Sequence, residues 1–193
     1  SQAGGGETVR AVDFRLPAPA DFAAWRDAAR GLLAAGVVPE DVAWRVAGDA
    51  PGLFAEAMPP PRPDAPHPLV PRAFVELAES AIRHRDPERF ALLYRVLWRL
   101  QHGERELMHL AADPDIARLE AFAKSVRRDA HKMHAFVRFR EVATEHGPRF
   151  VAWFEPDHFI EEAEAGFFIR RFAQMRWSIV TPRASMPWDG EDL

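Results

Sequence analysis

The sequence has 193 residues and no cysteine, and its basic residues comprise 23 arginines but only two lysines. The absence of cysteine excludes disulfides, thiolate nucleophiles, and zinc or iron–sulfur sites with cysteine ligands. No apolar run approaches the roughly 18 residues that a transmembrane helix needs, so no membrane partner is expected. A Gly-rich phosphate-binding loop and the Gly-x-Ser-x-Gly motif of hydrolases are also absent.

Residues 1–9 lack the basic and apolar regions of a secretory signal and are expected to form a flexible leader. We therefore expect a cytoplasmic protein. The composition, with 48% hydrophobic residues, is sufficient for a folded core. The formal net charge of −4 argues against a wholly basic nucleic-acid-binding protein, but it does not say where the charges lie.

The first part of the chain predicts a strand–helix–strand unit. Residues 10–16 alternate polar and apolar side chains, which is typical of a half-buried strand. Asp21 can cap a helix that extends to about residue 35, because apolar residues recur there at helical spacing. Residues 41–47 predict a second strand, which could pair in parallel with the first.

Residues 51–72 hold eight of the 17 prolines, a density that no helix or central strand tolerates. This segment is predicted to be an internal loop or linker, and it is a candidate boundary between two subregions. Three helices are predicted after it, at 71–84, 86–101 and 113–134. The last two begin with Asp-Pro, a capping residue followed by proline in the first turn.

Alternating residues at 135–142 and 149–155, separated by a short turn-rich segment, predict a β-hairpin. A helix over 156–175 and a strand over 176–181 are predicted to follow. Residues 186–193 are expected to form a loose tail or the start of a linker.

The predicted fold class is therefore α+β, with about five helices packed on one face of a small, mostly antiparallel sheet. It combines an N-terminal strand–helix–strand unit with a C-terminal hairpin–helix–strand unit. We expect both to belong to a single domain that spans residues 10–185.

Positive charge is concentrated in two segments. Residues 124–140 hold six basic side chains and one acid, Asp129, while residues 167–183 hold four arginines and no acid. Basic residues recur every fourth position on the predicted third helix, and others alternate on the following strand, so both sets could line one surface that binds phosphates. The candidate nucleic-acid-binding residues are Lys124, Arg127, Arg128, His131, Lys132, Arg138, Arg140, Arg170, Arg171, Arg176 and Trp177.

An alternative is a solvated helix face whose cations pair with acids elsewhere, since Glu120 lies four residues before Lys124. The two tryptophans on predicted strands, Trp153 and Trp177, are open to two interpretations as well. Beside arginine they could stack on bases, but aromatic residues in sheets also belong to hydrophobic cores.

The histidines give little support for a reaction. His131 and His134 lie one helical turn apart and could share a metal, but no third ligand is evident from spacing. Glu155 and His158 have the Glu-x-x-His spacing of di-iron bundles, yet they lie at a predicted strand–helix junction and would not share a helical face. No carboxylate pair indicates acid–base catalysis, so we predict no metal and no cofactor, and we assign no catalytic residue.

Three ordered segments resemble the signature of a bacterial family of DNA metabolism and DNA repair proteins that contains a domain of unknown function. These segments are residues 127–140 (RRDAHKMHAFVRFR), 150–158 (FVAWFEPDH) and 172–182 (FAQMRWSIVTP). The terminal Trp188-Asp189-Gly190 also fits that signature.

The resemblance implies DNA as a partner. In this family the domain occurs alone, encoded beside a radical-SAM DNA repair protein, or fused in front of a UdgX-type uracil-DNA glycosylase domain. Such a glycosylase domain carries cysteines for an iron–sulfur cluster, so the resemblance implies that this chain is an accessory domain. Residues 127–131 only echo the Arg-Arg-Ile-His loop of UdgX-type proteins, and they are not assigned its role.

Three hypotheses follow. The first is a DNA-binding accessory module, the second is a protein-interaction module that docks the radical-SAM or glycosylase partner, and the third is an uncharacterised nuclease or lyase that uses His131 or His158.

Overall fold

A computed structural model describes residues 12–50, 56–57 and 67–191. These residues divide into two compact units, and the division falls within one long helix. The first unit comprises the described residues up to Ile82 together with Asp86–Ala121, and the second comprises Arg83–Arg85 and the chain from Phe122. The single domain expected over 10–185 stays a prediction.

The described part of the first unit contains three short strands, three complete helices and the start of a fourth. Its elements are β1 (Val12–Leu16), α1 (Phe22–Ala34), β2 (Val42–Val46), β3 (Glu56–Ala57), α2 (Arg72–Ala81), α3 (Arg89–Gln101) and the first turns of α4 (Pro114–Phe136). Two 3-10 helices, Pro39–Asp41 and Leu107–His109, lie between them.

The N-terminal unit has the predicted strand–helix–strand arrangement, with β1 parallel to β2. The Asp21 carboxylate accepts the Ala24 N–H at 2.9 Å and so caps α1. Gly36, at a φ of 68°, follows the end of this helix in the left-handed region that glycine tolerates best.

The strand β3, which pairs in parallel with β1, corrects part of the loop prediction for 51–72. Residues 52–58 contain no proline, so their backbone donors remain able to join a sheet. Most of the other residues in that predicted loop lie outside the described part of the chain.

Aromatic side chains hold the first unit together. The buried Trp25 indole donates to the Phe90 carbonyl at 3.3 Å, and the buried Tyr94 hydroxyl donates to the Val37 carbonyl at 2.6 Å.

A buried arginine also links segments of this unit. Arg89 is 3% exposed and donates to three backbone carbonyls. Burial lowers the pKa of this guanidinium to about 10.

The described second unit is a four-stranded sheet with helices on one face. Its elements are the rest of α4, β4 (Arg140–Thr144), β5 (Gly147–Trp153), α5 (Glu161–Arg171), β6 (Trp177–Val180) and β7 (Ser185–Trp188). The strand order is β4-β5-β6-β7, with antiparallel outer pairs and a parallel β5–β6 pair across α5. The buried core residues include Val126, Met133, Ala152, Phe168, Trp177, Ile179, Met186 and Trp188. The α+β class is confirmed, and the strands form two separate sheets.

Three C-terminal predictions are wrong in detail. The strand expected over 135–142 begins only at Arg140, because α4 continues to Phe136 and the Val137 N–H still bonds to the Met133 carbonyl at 3.1 Å. Val137 is buried four residues after Met133, so the segment follows helical rather than strand periodicity at that point.

The expected loose tail also contains a strand. Met186 and Trp188 of β7 are 7% and 8% exposed, and both contribute to the core. Pro187 between them is exposed on the edge strand, where a missing N–H is tolerated.

The helix predicted over 156–175 is shorter in the structure, since α5 covers only Glu161–Arg171. Within the described ranges, no helix is long and apolar enough to cross a membrane.

Candidate nucleic-acid interface

The exposed side of α4 in the second unit carries the predicted cationic stripe. Its exposed basic residues are Lys124, Arg127, Arg128, His131 and Lys132. We call this set the α4 basic face. None of these five side chains forms an ion pair or hydrogen bond with another described residue. The opposite side of the helix lies in the core, so helical periodicity places all five toward solvent.

The single acid within this segment does not neutralise the α4 basic face. Asp129 is 3% exposed, and its Oδ2 accepts the backbone N–H of His158 at 2.8 Å. The carboxylate therefore points into the protein, while the cations around it in sequence point outward. Like charges four residues apart repel by a few tenths of a kcal/mol in an isolated helix, a cost that a bound anion would remove.

An aromatic ring continues the same stripe. Phe136 is 67% exposed and lies four residues after Lys132 and eight after Arg128. This residue is not among the candidates predicted from the sequence, because residues 135–142 are predicted to form a strand. The signal was present in the four-residue spacing, which extends through Phe136 once α4 is given its full length.

Arg138, unlike the residues of the α4 basic face, contacts backbone carbonyls at the end of α4. Its Nη1 donates to the carbonyls of Ala135 at 2.7 Å and Val137 at 3.0 Å. These carbonyls lie at the end of α4, where a cation also complements the helix dipole. The expectation that Arg138 lies on a strand beside Arg140 is wrong, because that strand begins only at Arg140.

Arg140 lies on the sheet rather than on the α4 basic face. It pairs with Val151 in the antiparallel register, so both side chains leave the sheet on the same side. Phe150 and Ala152, which alternate with Val151, point toward the core. We call the side of Val151 the outer face of the sheet, and it is the side away from α4 and α5.

Arg176 also belongs to the outer face. It precedes β6 directly and alternates with the core residue Trp177. Its carbonyl accepts the Phe150 N–H at 2.9 Å, so the ladder extends to this residue, and its guanidinium donates to the His146 carbonyl at 2.8 Å. The predicted basic surface is thus divided between a helix face and a sheet face.

Trp177 is not a surface residue. It is 0% exposed, and its ring packs against Phe139 and Phe168 with centroids 5.9 and 6.3 Å away. It therefore cannot stack on a base in this fold. Trp153 is the exposed one of the pair, at 57%. Trp153 pairs with Val180 on the outer face, whereas Trp177 pairs with Phe150 on the core face.

The arginines of the second basic segment also divide. Arg183 forms an ion pair with Glu161 at 2.9 Å, so its charge is satisfied internally. Arg170 and Arg171 are exposed in the last turn of α5, where they complement the helix dipole, and neither pairs with a described acid. These two remain candidate phosphate ligands.

The two histidines of α4, His131 and His134, differ in their contacts. His134 Nε2 lies 2.6 Å from Glu164 Oε2, and its ring stacks on Phe167 with centroids 3.7 Å apart. Across the described ranges, no group of three or more His, Asp or Glu side chains could hold a metal ion. His131 remains exposed on α4 without such a contact.

The imidazole of His158 is buried and contacts the backbone of Arg85 and the ring of His84. Its Nδ1 accepts the Arg85 N–H at 3.0 Å, and its ring lies 4.2 Å from the ring of His84. It is only 5% exposed, and this burial lowers the pKa of the imidazole below its ordinary value. Since Nδ1 acts as an acceptor, the neutral ring carries its proton on Nε2.

The candidate residues lie within the part of the chain that one family model matches. No curated protein and no solved structure matches the chain. A family model described as a domain of unknown function, DUF4130, matches residues 87–188. That match covers more than half of the chain and includes both the α4 basic face and the four-stranded sheet. The chain therefore belongs to the DUF4130 family.

Proposed function

We propose that this protein is an accessory DNA-binding module of a DNA repair or DNA metabolism system, and that the α4 basic face contacts phosphates. The observation that carries this proposal is the set of exposed cations on one side of α4, which have no ionic partner among the described residues. Asp129, which would reduce the local charge, is turned inward.

The charge pattern supports a polyanion more than an isolated anion. Lys124, Arg128 and Lys132 span two helical turns, or about 12 Å at 1.5 Å per residue. A row of cations of that length matches several successive phosphates, and each neutralised phosphate releases counterions. DNA is the polyanion that the resemblance to DNA repair proteins favours.

The proposal predicts salt-dependent binding. Affinity for a fluorescent duplex and for the matching single strand should fall as salt rises from about 50 to 200 mM. The double variant Arg128→Glu/Lys132→Glu should lower the affinity at least tenfold and reduce the magnitude of the salt slope by about two.

A matched control separates a local surface from net charge. Arg26 and Arg72 are exposed and lie in the first unit, so Arg26→Glu/Arg72→Glu changes the net charge by the same amount elsewhere. This control should bind DNA nearly as the parent does. Absence of binding by the parent at about 50 mM salt, or equal losses in both double variants, contradicts the proposal.

A second candidate function, docking of a partner enzyme, is favoured by a groove in the first unit. The groove has a volume of about 760 Å³ and combines apolar residues such as Leu33 and Leu100 with Arg105. Leu69, at its wall, is 94% exposed. The apolar lining of the groove and the basic side chains of Arg30 and Arg105 in it suit an acidic, partly apolar segment.

Co-purification with a radical-SAM DNA repair protein or a UdgX-type glycosylase tests this candidate. Leu69→Glu should abolish the association, whereas Leu110→Glu should not, because Leu110 is 54% exposed but does not line the groove. Failure of the parent to associate at micromolar concentration counts against docking.

A further inference from the structure

We infer that the outer face of the four-stranded sheet binds unpaired nucleotides, with the indole of Trp153 stacked on a base and arginines beside it contacting the phosphates. This inference rests on the proposed function for the class of ligand. It adds a second surface to the α4 basic face and specifies single-stranded nucleic acid as its occupant.

The register of the sheet brings the aromatic ring and the cations together. Arg140 pairs directly with Val151, and Trp153 and Arg149 lie two residues to either side of Val151 on β5. Both are therefore diagonal neighbours of Arg140 on the same face, at about 7–8 Å. One arginine on β4 thus lies between a tryptophan and a second arginine on β5.

The second arginine is held flat on the sheet. Arg149 Nε and Nη2 lie 3.2 and 2.8 Å from the hydroxyl of Ser178, on the neighbouring strand β6. This contact uses two donors of the half-buried Arg149, and the other guanidinium N–H groups have no described partner. No described carboxylate forms an ion pair with Arg140, Arg149 or Arg176.

The Trp153 indole is held at its Nε1 edge, and more than half of the residue is exposed. Its Nε1–H donates to Glu155 Oε1 at 3.1 Å, which fixes the indole, while 57% of the residue remains exposed. Val142, also on this face, is 46% exposed. The exposed indole offers a stacking surface, and purine and pyrimidine rings are suitable ligands for it because every base has a π-face.

The geometry favours a single strand over a duplex. In a duplex the base faces are stacked on one another, so an indole on a flat sheet cannot reach them. Unpaired bases can turn outward and stack on aromatic side chains and on guanidinium planes, while their phosphates remain close to the flanking cations. The outer face offers both kinds of contact within one sheet.

Binding of fluorescent oligo(dT) and oligo(rU), and of a duplex of equal length, tests this inference. Trp153→Ala should weaken binding of the single strand about tenfold, within the range that one lost stacking contact causes. Trp153→Phe should retain most of the affinity because it keeps a ring. Leu110→Ala is the control, because Leu110 is an exposed apolar residue of the first unit, and this variant should bind as the parent does.

Two further readouts make the test specific. An oligonucleotide that carries 5-iodouracil should crosslink to Trp153 under ultraviolet light, and mass spectrometry of the digested adduct identifies the site. Duplex affinity should change less than twofold in Trp153→Ala. The DNA and RNA arms show whether a 2′-hydroxyl is accepted on this face.

The outcomes separate this inference from the proposed function. If the parent binds neither single strand nor duplex at about 50 mM salt, both fail. If binding depends on Arg128 and Lys132 but is unchanged in Trp153→Ala, with no crosslink at Trp153, only the sheet inference is overturned. Thermal unfolding of Trp153→Ala confirms that its loss of binding is not a loss of fold.

Discussion

The Asp129 carboxylate on α4 accepts the backbone N–H of His158 at 2.8 Å, and both residues are buried. This contact joins the long helix to the segment that leads into α5. It also explains how residues 124–132 can include an acid in sequence and still present only basic charges to solvent. The Asp129 side chain therefore contributes a buried hydrogen bond to the fold, and its inward orientation leaves the α4 basic face positively charged.

Replacing Asp129 should test its structural role. Asp129→Ala leaves the buried His158 N–H without its acceptor, and we expect the free energy of unfolding to fall by about 1–3 kcal/mol. Asp129→Asn retains an amide oxygen and should lose less. Urea denaturation measures both values, and equal stability of the parent and Asp129→Ala would show that the bond contributes little.

Stability should decrease in mild acid because of His158. Burial lowers the folded-state pKa of this imidazole, so below its ordinary pKa of about 6.5 the unfolded chain binds the proton more readily than the folded chain. The contribution of His158 is fully present above that pKa and is lost as pH falls toward the lowered folded-state value. Urea unfolding at pH 7.5 and 5.5 measures the change.

The variant His158→Gln should lose part of that pH dependence, because glutamine does not titrate in this range. His131→Ala is the control, since His131 is exposed on α4 and should leave the dependence unchanged. If both variants keep the full pH dependence of the parent, His158 is not its source.

The two strand tryptophans should differ sharply in their effect on stability. Trp177 is fully buried, so Trp177→Ala should cost about 3–5 kcal/mol or prevent folding. Trp153 is 57% exposed, so Trp153→Ala should cost less than about 1 kcal/mol. Thermal unfolding distinguishes them, and a large loss in Trp153→Ala would mean that the outer face is part of the core.

This contrast shows where prediction from the sequence ends. The exposed cations of α4 could be predicted because one helical period decides which residues face solvent. Both tryptophans occur in alternating segments, so the sequence predicts strands at each. Which side of the sheet they occupy depends on strand pairing, and the pairs Phe150–Trp177 and Trp153–Val180 are fixed only by the tertiary fold.

The end of α4 shows a second limit. Ala135 and Phe136 fit both a helix and a strand, and the choice depends on burial of Val137 in the core of the second unit. The two added helical residues change the role of Arg138 from a strand cation to a helix cap. They also align Phe136 with the α4 basic face. If residues 135–142 formed a strand, Phe136 would not lie on the helix.

A pair of substitutions at this end of α4 should separate a structural cation from a binding cation. Arg138→Ala removes two hydrogen bonds to helix carbonyls and should lower the free energy of unfolding by about 1 kcal/mol. Lys132→Ala removes an exposed side chain without a described partner, and it should leave stability within about 0.5 kcal/mol of the parent.

DNA binding should show the opposite order. Lys132→Ala should reduce the magnitude of the salt slope by about one, as expected for one lost phosphate contact. Arg138→Ala should change the slope by much less, because its guanidinium is already engaged at the helix end. Urea unfolding and binding titrations on both variants give the four values. If Arg138→Ala reduces the slope as much as Lys132→Ala does, Arg138 belongs to the binding surface in spite of its cap.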